Sequence, residues 1–168
     1  MKNYVVFEEK QRFTQWWLWL LLIFTNFLFL WGIFQQIIRG IPFGDKPMSD
    51  TGLLLVTGFV MFITLFIYFI RLETRIDKDG VYVHLFPFQL TFRFYPWEVI
   101  SEIHFRTYNP IIEYGGWGWR WGLFGKGSAL NVSGDQGIQL IFKSGKKLLI
   151  GTQKPEEIQR IIEELEKH

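Results

Sequence analysis

The chain has 168 residues, a net charge of +2, no cysteine, and an aromatic content of 19% that includes eight Trp and eighteen Phe. Without cysteine there are no disulfides, thiolate nucleophiles or cysteine-held zinc or iron–sulfur sites, and so small a net charge argues against a nucleic-acid partner. So many large rings exceed what a soluble core of this size hides, which points to a membrane surface.

Residues 1–12, MKNYVVFEEKQR, mix apolar and charged positions. Tyr4, Val5, Val6 and Phe7 suit a strand added to a later domain, a segment lying flat on a bilayer, or a solvated leader; the reading sets residues 1–12 apart as an N-terminal leader. From Phe13 to Ile38 no charge occurs, and the centre reads WWLWLLLIFTNFLFLWGIF. As helix this run would rise about 39 Å, enough to cross a hydrocarbon core of roughly 30 Å. Trp16, Trp17 and Trp19 at one end and Trp31 toward the other fit rings that prefer headgroup level. A cleaved signal peptide fits poorly, because the run is long, the leader carries Glu8 and Glu9, and no small-residue cleavage site follows. Asn26 is the one strongly polar side chain in the centre of this span, read as a hydrogen bond to the neighbouring helix in preference to a substrate contact.

A second uncharged run, Thr51 to Ile70, again has spanning length. The loop between them holds Gly40, Pro42, Gly44 and Pro47 and reads as an irregular turn. Lys2, Lys10 and Arg12 precede the pair and Arg71, Arg75 and Lys78 follow it, against Arg39 and Lys46 in the loop, a bias that places both termini in the cytoplasm.

Beyond Arg71 the pattern alternates. ETRIDKDGVYVHLF predicts a hairpin around Asp77-Lys78-Asp79-Gly80, QLTFRFY a third strand stopped by Pro96, and EVISEIHFRTY a fourth. The run YGGWGWRWGLFGKGSAL then loses all periodicity. ALNVSG reads as a short strand, and GIQLIF and KKLLIG as a hairpin across Ser144-Gly145. About seven short strands predict a sandwich or partly open barrel. At the C-terminus Pro155 suits a first helical position, and Ile158, Ile161, Ile162 and Leu165 make one apolar stripe.

Seven strands followed by one amphipathic helix is the layout of a pleckstrin-homology-like domain. The run GGWGWRWG, followed by ALNVSGDQGIQLIFKSGKKLLIGTQKPEEI, resembles bacterial pleckstrin-homology-like membrane proteins in which two N-terminal transmembrane helices precede such a domain. The resemblance covers almost the whole chain, with residues 115–158 its most specific part. It implies the fold, the anchor and a prokaryotic inner-membrane setting, and it implies no activity.

Candidate chemistry is sparse. The Asp77–Gly80 loop carries two carboxylates that repel phosphate, and it lacks the spaced oxygen ligands of a calcium loop. His84, His104 and His168 have no zinc-ligand spacing, and Ser101, Ser128, Ser133 and Ser144 have no nucleophile setting. Glu98, Glu102 and Glu113 are available acids without an evident partner. An enzyme acting on lipid headgroups, with Glu102 or His104 as base, is the most distant reading. The candidate interaction loop is Tyr114, Trp117, Trp119, Arg120, Trp121, Phe124 and Lys126: large rings interleaved with cations among glycines. Its rings would plug the β unit, sit at the membrane interface, or form a partner-binding hot spot.

The expectation is an α+β membrane protein: a transmembrane hairpin over 13–70 (spans 13–38 and 51–70), then a pleckstrin-homology-like seven-stranded barrel or sandwich over 71–168 with a C-terminal amphipathic helix. It is read as a multi-pass, non-enzymatic protein of the bacterial inner membrane, with no cofactor, metal, nucleic acid or identified small-molecule substrate. Its partners are the lipid bilayer and a membrane protein or a second copy of itself, through protein–protein or membrane-surface contacts. A small accessory subunit of a transport or assembly complex is the alternative.

Overall fold

A computed structural model describes residues 5–122 and 125–165, and the chain divides into two compact units, Thr14–Phe69 and the remainder.

In the first unit, helix α1 (Trp16–Ile33) runs into a π-helical turn at Phe34–Ile38, and α2 (Asp50–Phe69) follows the loop. Both helices are long and apolar enough to cross a membrane. Their polar atoms are satisfied locally. Asn26 donates through Nδ2 to the Leu22 carbonyl and to Thr64 Oγ1, each at 2.7 Å, which is the interhelical hydrogen bond that the sequence predicts. Thr57 and Thr64 donate back to the carbonyls of Leu53 and Val60. At one end Trp19 meets the edge of Tyr68, and at the other Gln36 Nε2 donates to the Met48 carbonyl and to Asp50 Oδ1. Gly32 lets the Phe43 ring lie against α1, because a Cβ there would stand 2.9 Å from that ring. Phe24, Phe27, Leu55, Phe59 and Phe62 are exposed, an arrangement suited to hydrocarbon and costly in water.

The second unit holds two sheets with open edges. Sheet A is an antiparallel meander in the order β1 (Val5–Arg12), β2 (Arg71–Asp77), β3 (Gly80–Phe86), β4 (Arg93–Pro96). Sheet B comprises β5 (Ile100–Thr107), β6 (Gly118–Trp121), β7 (Ser128–Asn131), β8 (Gln136–Phe142) and β9 (Lys147–Gly151), ordered β5-β8-β9-β7-β6. Its pairs are antiparallel except β7 with β9, which are parallel. A short helix α3 (Pro110–Tyr114) precedes β6, and α4 (Pro155–Leu165) closes the chain. The core joins Leu72, Ile76, Val83 and Leu85 of sheet A to Ile138, Leu140 and Ile150 of sheet B, under the Ile158, Ile161 and Ile162 stripe of α4. The Leu165 side chain lies outside the described residues.

Four features depart from the expected layout. Residues 5–12 are strand β1, paired with β2 from Val5↔Asp77 to Arg12↔Arg71, so the apolar hairpin interrupts a strand pair. Phe7, Glu9 and Gln11 of β1 point inward while Glu8, Lys10 and Arg12 point outward. The third predicted strand is shortened to Arg93–Pro96, because Gln89 folds back and its Oε1 accepts the Leu85 N–H that a longer β4 would have paired. The Gly/Trp run follows directly on α3, and its residues Gly118–Trp121 are strand β6. Nine strands therefore stand among the described residues where the sequence predicts about seven.

The expected hairpin at Asp77–Gly80 is present. Asp77 Oδ1 accepts the N–H groups of Asp79 and Gly80, so this carboxylate caps a turn.

Candidate functional site

The candidate segment is built from Asn109 onward. Asn109 caps α3, its Oδ1 accepting from the N–H of Ile111 and Ile112, and Pro110 takes the first helical position. The helix stops at Gly115, whose φ of 70° is left-handed; Gly115 and Gly116 donate back to the Ile111 and Pro110 carbonyls. A helix this short cannot stand on propensity, so its packing and caps hold it.

A polar network staples this segment to sheet B. Arg106 of β5 donates from Nε to Gln139 Oε1 (3.1 Å), from Nη1 to Glu113 Oε2 (3.0 Å) and from Nη2 to the Tyr114 hydroxyl (2.9 Å). Lys126 Nζ lies 3.3 Å from the same Glu113 oxygen. Tyr114 is buried edge-on to Tyr108, and Asn131 donates from Nδ2 to the Tyr108 hydroxyl while its Oδ1 accepts the Gly118 N–H. Burial pushes the Glu113 carboxyl up, but the Asn109 N–H and the Arg106 and Lys126 cations outweigh it, so its pKa falls below the ordinary value. Burial raises the Tyr108 hydroxyl to about 12 and raises Tyr114 too, against the pull of Arg106. Both tyrosines stay protonated near neutral pH and serve as packing and hydrogen-bonding groups.

The structure separates the sequence-named residues by role. Tyr114 and Lys126 meet in the network around Glu113. Trp117 donates from Nε1 to the Gly134 carbonyl, and Arg120 Nε donates to the Trp117 carbonyl. Trp119 is half-buried against the core, with the Arg93 guanidinium 4.8 Å above its ring. Trp121 is 76% exposed at the end of β6. Phe124 lies outside the described residues. Gly122 approaches the Tyr114 ring, which draws the end of β6 toward α3.

Sequence reasoning missed the residues that organise the segment: Asn109, Arg106, Tyr108, Asn131 and Gln139. It also missed Ile111 and Ile112, which α3 holds in the open at 64% and 72% exposure. Asn109-Pro110 was the available signal, a cap followed by a first-turn proline.

Elsewhere, His104 Nδ1 and Glu102 Oε1 stand 3.0 Å apart on β5, an edge strand, with Glu102 exposed and His104 half-buried. Glu102 borders a shallow pocket of about 270 Å³ with Trp97, Ile100, Ser101 and Ile103. Among the described residues no three His, Asp or Glu side chains are grouped to hold a metal ion.

Residues 2–165 match the family model described as Family of unknown function (DUF6141). No curated protein and no solved structure matches the chain.

Proposed function

The chain belongs to the DUF6141 family, and we propose that it is a non-enzymatic protein of the bacterial inner membrane whose β unit is a pleckstrin-homology-like domain on the cytoplasmic face, making protein or membrane-surface contacts. With α3, β6 and β7 set aside, the order is a four-stranded meander β1–β4, a three-stranded antiparallel set β5-β8-β9, and α4 over the core. That is seven strands and a C-terminal helix. In this reading the hairpin occupies the first strand connection, and residues 108–131 are an insertion that extends the second sheet.

The pairing of β1 with β2 supports two crossings. Strands on either side of the hairpin can pair only if the chain leaves and returns on one side of the bilayer. The flanking Lys2, Lys10, Arg12, Arg71, Arg75 and Lys78 favour the cytoplasm as that side.

The observation that carries the contact role is that Ile111 and Ile112 are exposed on α3, which the Arg106 network clamps, and Trp121 on β6, which pairs with β7. Large apolar side chains held rigidly in the open are what recognition surfaces present. The alternative is an accessory subunit of a transport or assembly complex whose Asn26 and helix pair contact a larger channel; in the hairpin Asn26 Nδ2 donates to the Leu22 carbonyl and to Thr64 Oγ1. Photocrosslinking residues at 112 and 121 of the full chain in native membranes test the reading. Adducts to protein or lipid are expected at both positions and survive replacement of the hairpin by an unrelated one. Labelling no higher than at exposed Lys143 would overturn it.

A further inference from the structure

The connection between β3 and β4, Phe86-Pro87-Phe88-Gln89-Leu90-Thr91-Phe92, inverts the usual logic of a soluble loop. Its one amide side chain is buried: Gln89 Oε1 accepts the Leu85 N–H, the Gln89 N–H donates to the Leu85 carbonyl, and His84 Nε2 donates to the Gln89 carbonyl. Pinned there, the loop turns Phe88, Leu90 and Phe92 outward, Leu90 being 85% exposed. Register fixes where this happens. Phe86 pairs with Arg71, and Arg71 with Arg12, the residues that flank the departure of the chain into the apolar hairpin and its return. Since a strand advances about 3.3 Å per residue, Phe88 lies within a few residues' rise of those attachment points.

We propose that this loop is a third membrane contact, a wedge whose Phe88, Leu90 and Phe92 side chains sit among lipid headgroups and the first acyl carbons. The charges at this end of the sheet fit a lipid surface. Arg71 stands in register with Arg12, and Glu73 takes both Arg71 at 3.0 Å and Lys10 at 3.2 Å, so cations gather at this end of the sheet. The Arg71 guanidinium lies 5.0 Å over the Phe86 ring, and that of Arg75, ion-paired to Glu8, lies 5.5 Å over Phe92. Rings backed by arginine are the chemistry of the headgroup layer.

The inference rests on the reading that the hairpin spans the membrane, and the test separates the two. The sequence lacks cysteine, so single-cysteine variants Leu90→Cys, Ser144→Cys and Phe59→Cys of the full chain carry one bimane each in phosphatidylethanolamine–phosphatidylglycerol vesicles. The label at 90 is expected to lose emission to lipids bearing a shallow nitroxide and to be shielded from iodide. The label at 144 is expected to respond to iodide alone, and the label at 59 to deep nitroxides. Emission at 59 lost to lipid while 90 responds only to iodide would overturn the loop contact and leave the hairpin in place. A label at 90 shielded from both quenchers would overturn it in favour of a protein cover. A label at 59 untouched by any lipid quencher would overturn both.

Discussion

Glu9 is a buried acid that ties the first strand to the end of the chain. Its carboxylate is 4% exposed and accepts from Thr152 Oγ1 and from the Gln153 N–H, both at 2.7 Å, while Gln11 donates to the Gly151 carbonyl two residues along β1. These bonds stitch the outer strand of sheet A to the start of α4, where no backbone ladder connects the two sheets. Burial raises the pKa of Glu9, and the hydrogen bonds and Lys154 offset that only in part. An acid with a higher pKa in the folded state binds its proton more tightly there. Its contribution to stability is therefore complete below the ordinary value of 4.5 and is lost as pH rises through the raised one. Glu113 acts in the opposite sense: its pKa is lowered, so its contribution is present above 4.5 and is lost on acidification. Comparing Glu9→Gln with wild type isolates the first effect. As pH rises from below 4.5, the Tm difference should move against wild type; a difference constant with pH contradicts this account.

At the scale of elements, α3 shows how a segment without periodicity is held. Its single turn depends on the Asn109 cap, the Gly115 stop and the Arg106–Glu113 clamp. Asn109→Ala should cost about 1 kcal/mol, read as a Tm lower by a few degrees and as faster amide exchange at Ile111 and Ile112. Unchanged exchange there would mean that the clamp alone suffices. The legibility of each element follows from the same physics. Both apolar helices, the Asp-Gly and Ser-Gly hairpins and the α4 stripe are plain in the sequence, because each obeys a local periodicity or turn rule. Strand β1 is legible only as one of three options for Tyr4–Phe7, because two of its inward positions are Glu9 and Gln11, polar residues whose partners lie 140 or more positions away. The end of the third predicted strand is hidden because a side chain, Gln89, replaces a ladder bond. The candidate segment is legible only in composition. Its tryptophans stand out, yet their different fates depend on Arg93, Gly134 and the core, which no local pattern reveals.

At the scale of the molecule, the hairpin is an excursion from within a strand pair and not an appendage in front of a finished domain. Two consequences follow. The β unit needs chain from both sides of the hairpin, so β1 can pair only after both helices have emerged and the chain has returned. And if the helices cross the bilayer, they do so together, with β1 and β5–β9 on the same face. Methionine-to-tail order thus says less about this protein than register does: Arg12 beside Arg71 is the junction on which topology turns. Single cysteines placed at Glu8, Asp45 and Ser144 can be labelled with a membrane-impermeant maleimide in spheroplasts and in inverted vesicles. Positions 8 and 144 should react only in inverted vesicles and position 45 only in spheroplasts; reaction of 8 and 144 from opposite faces, or of all three from one face, would contradict a paired crossing from within the β1–β2 strand pair.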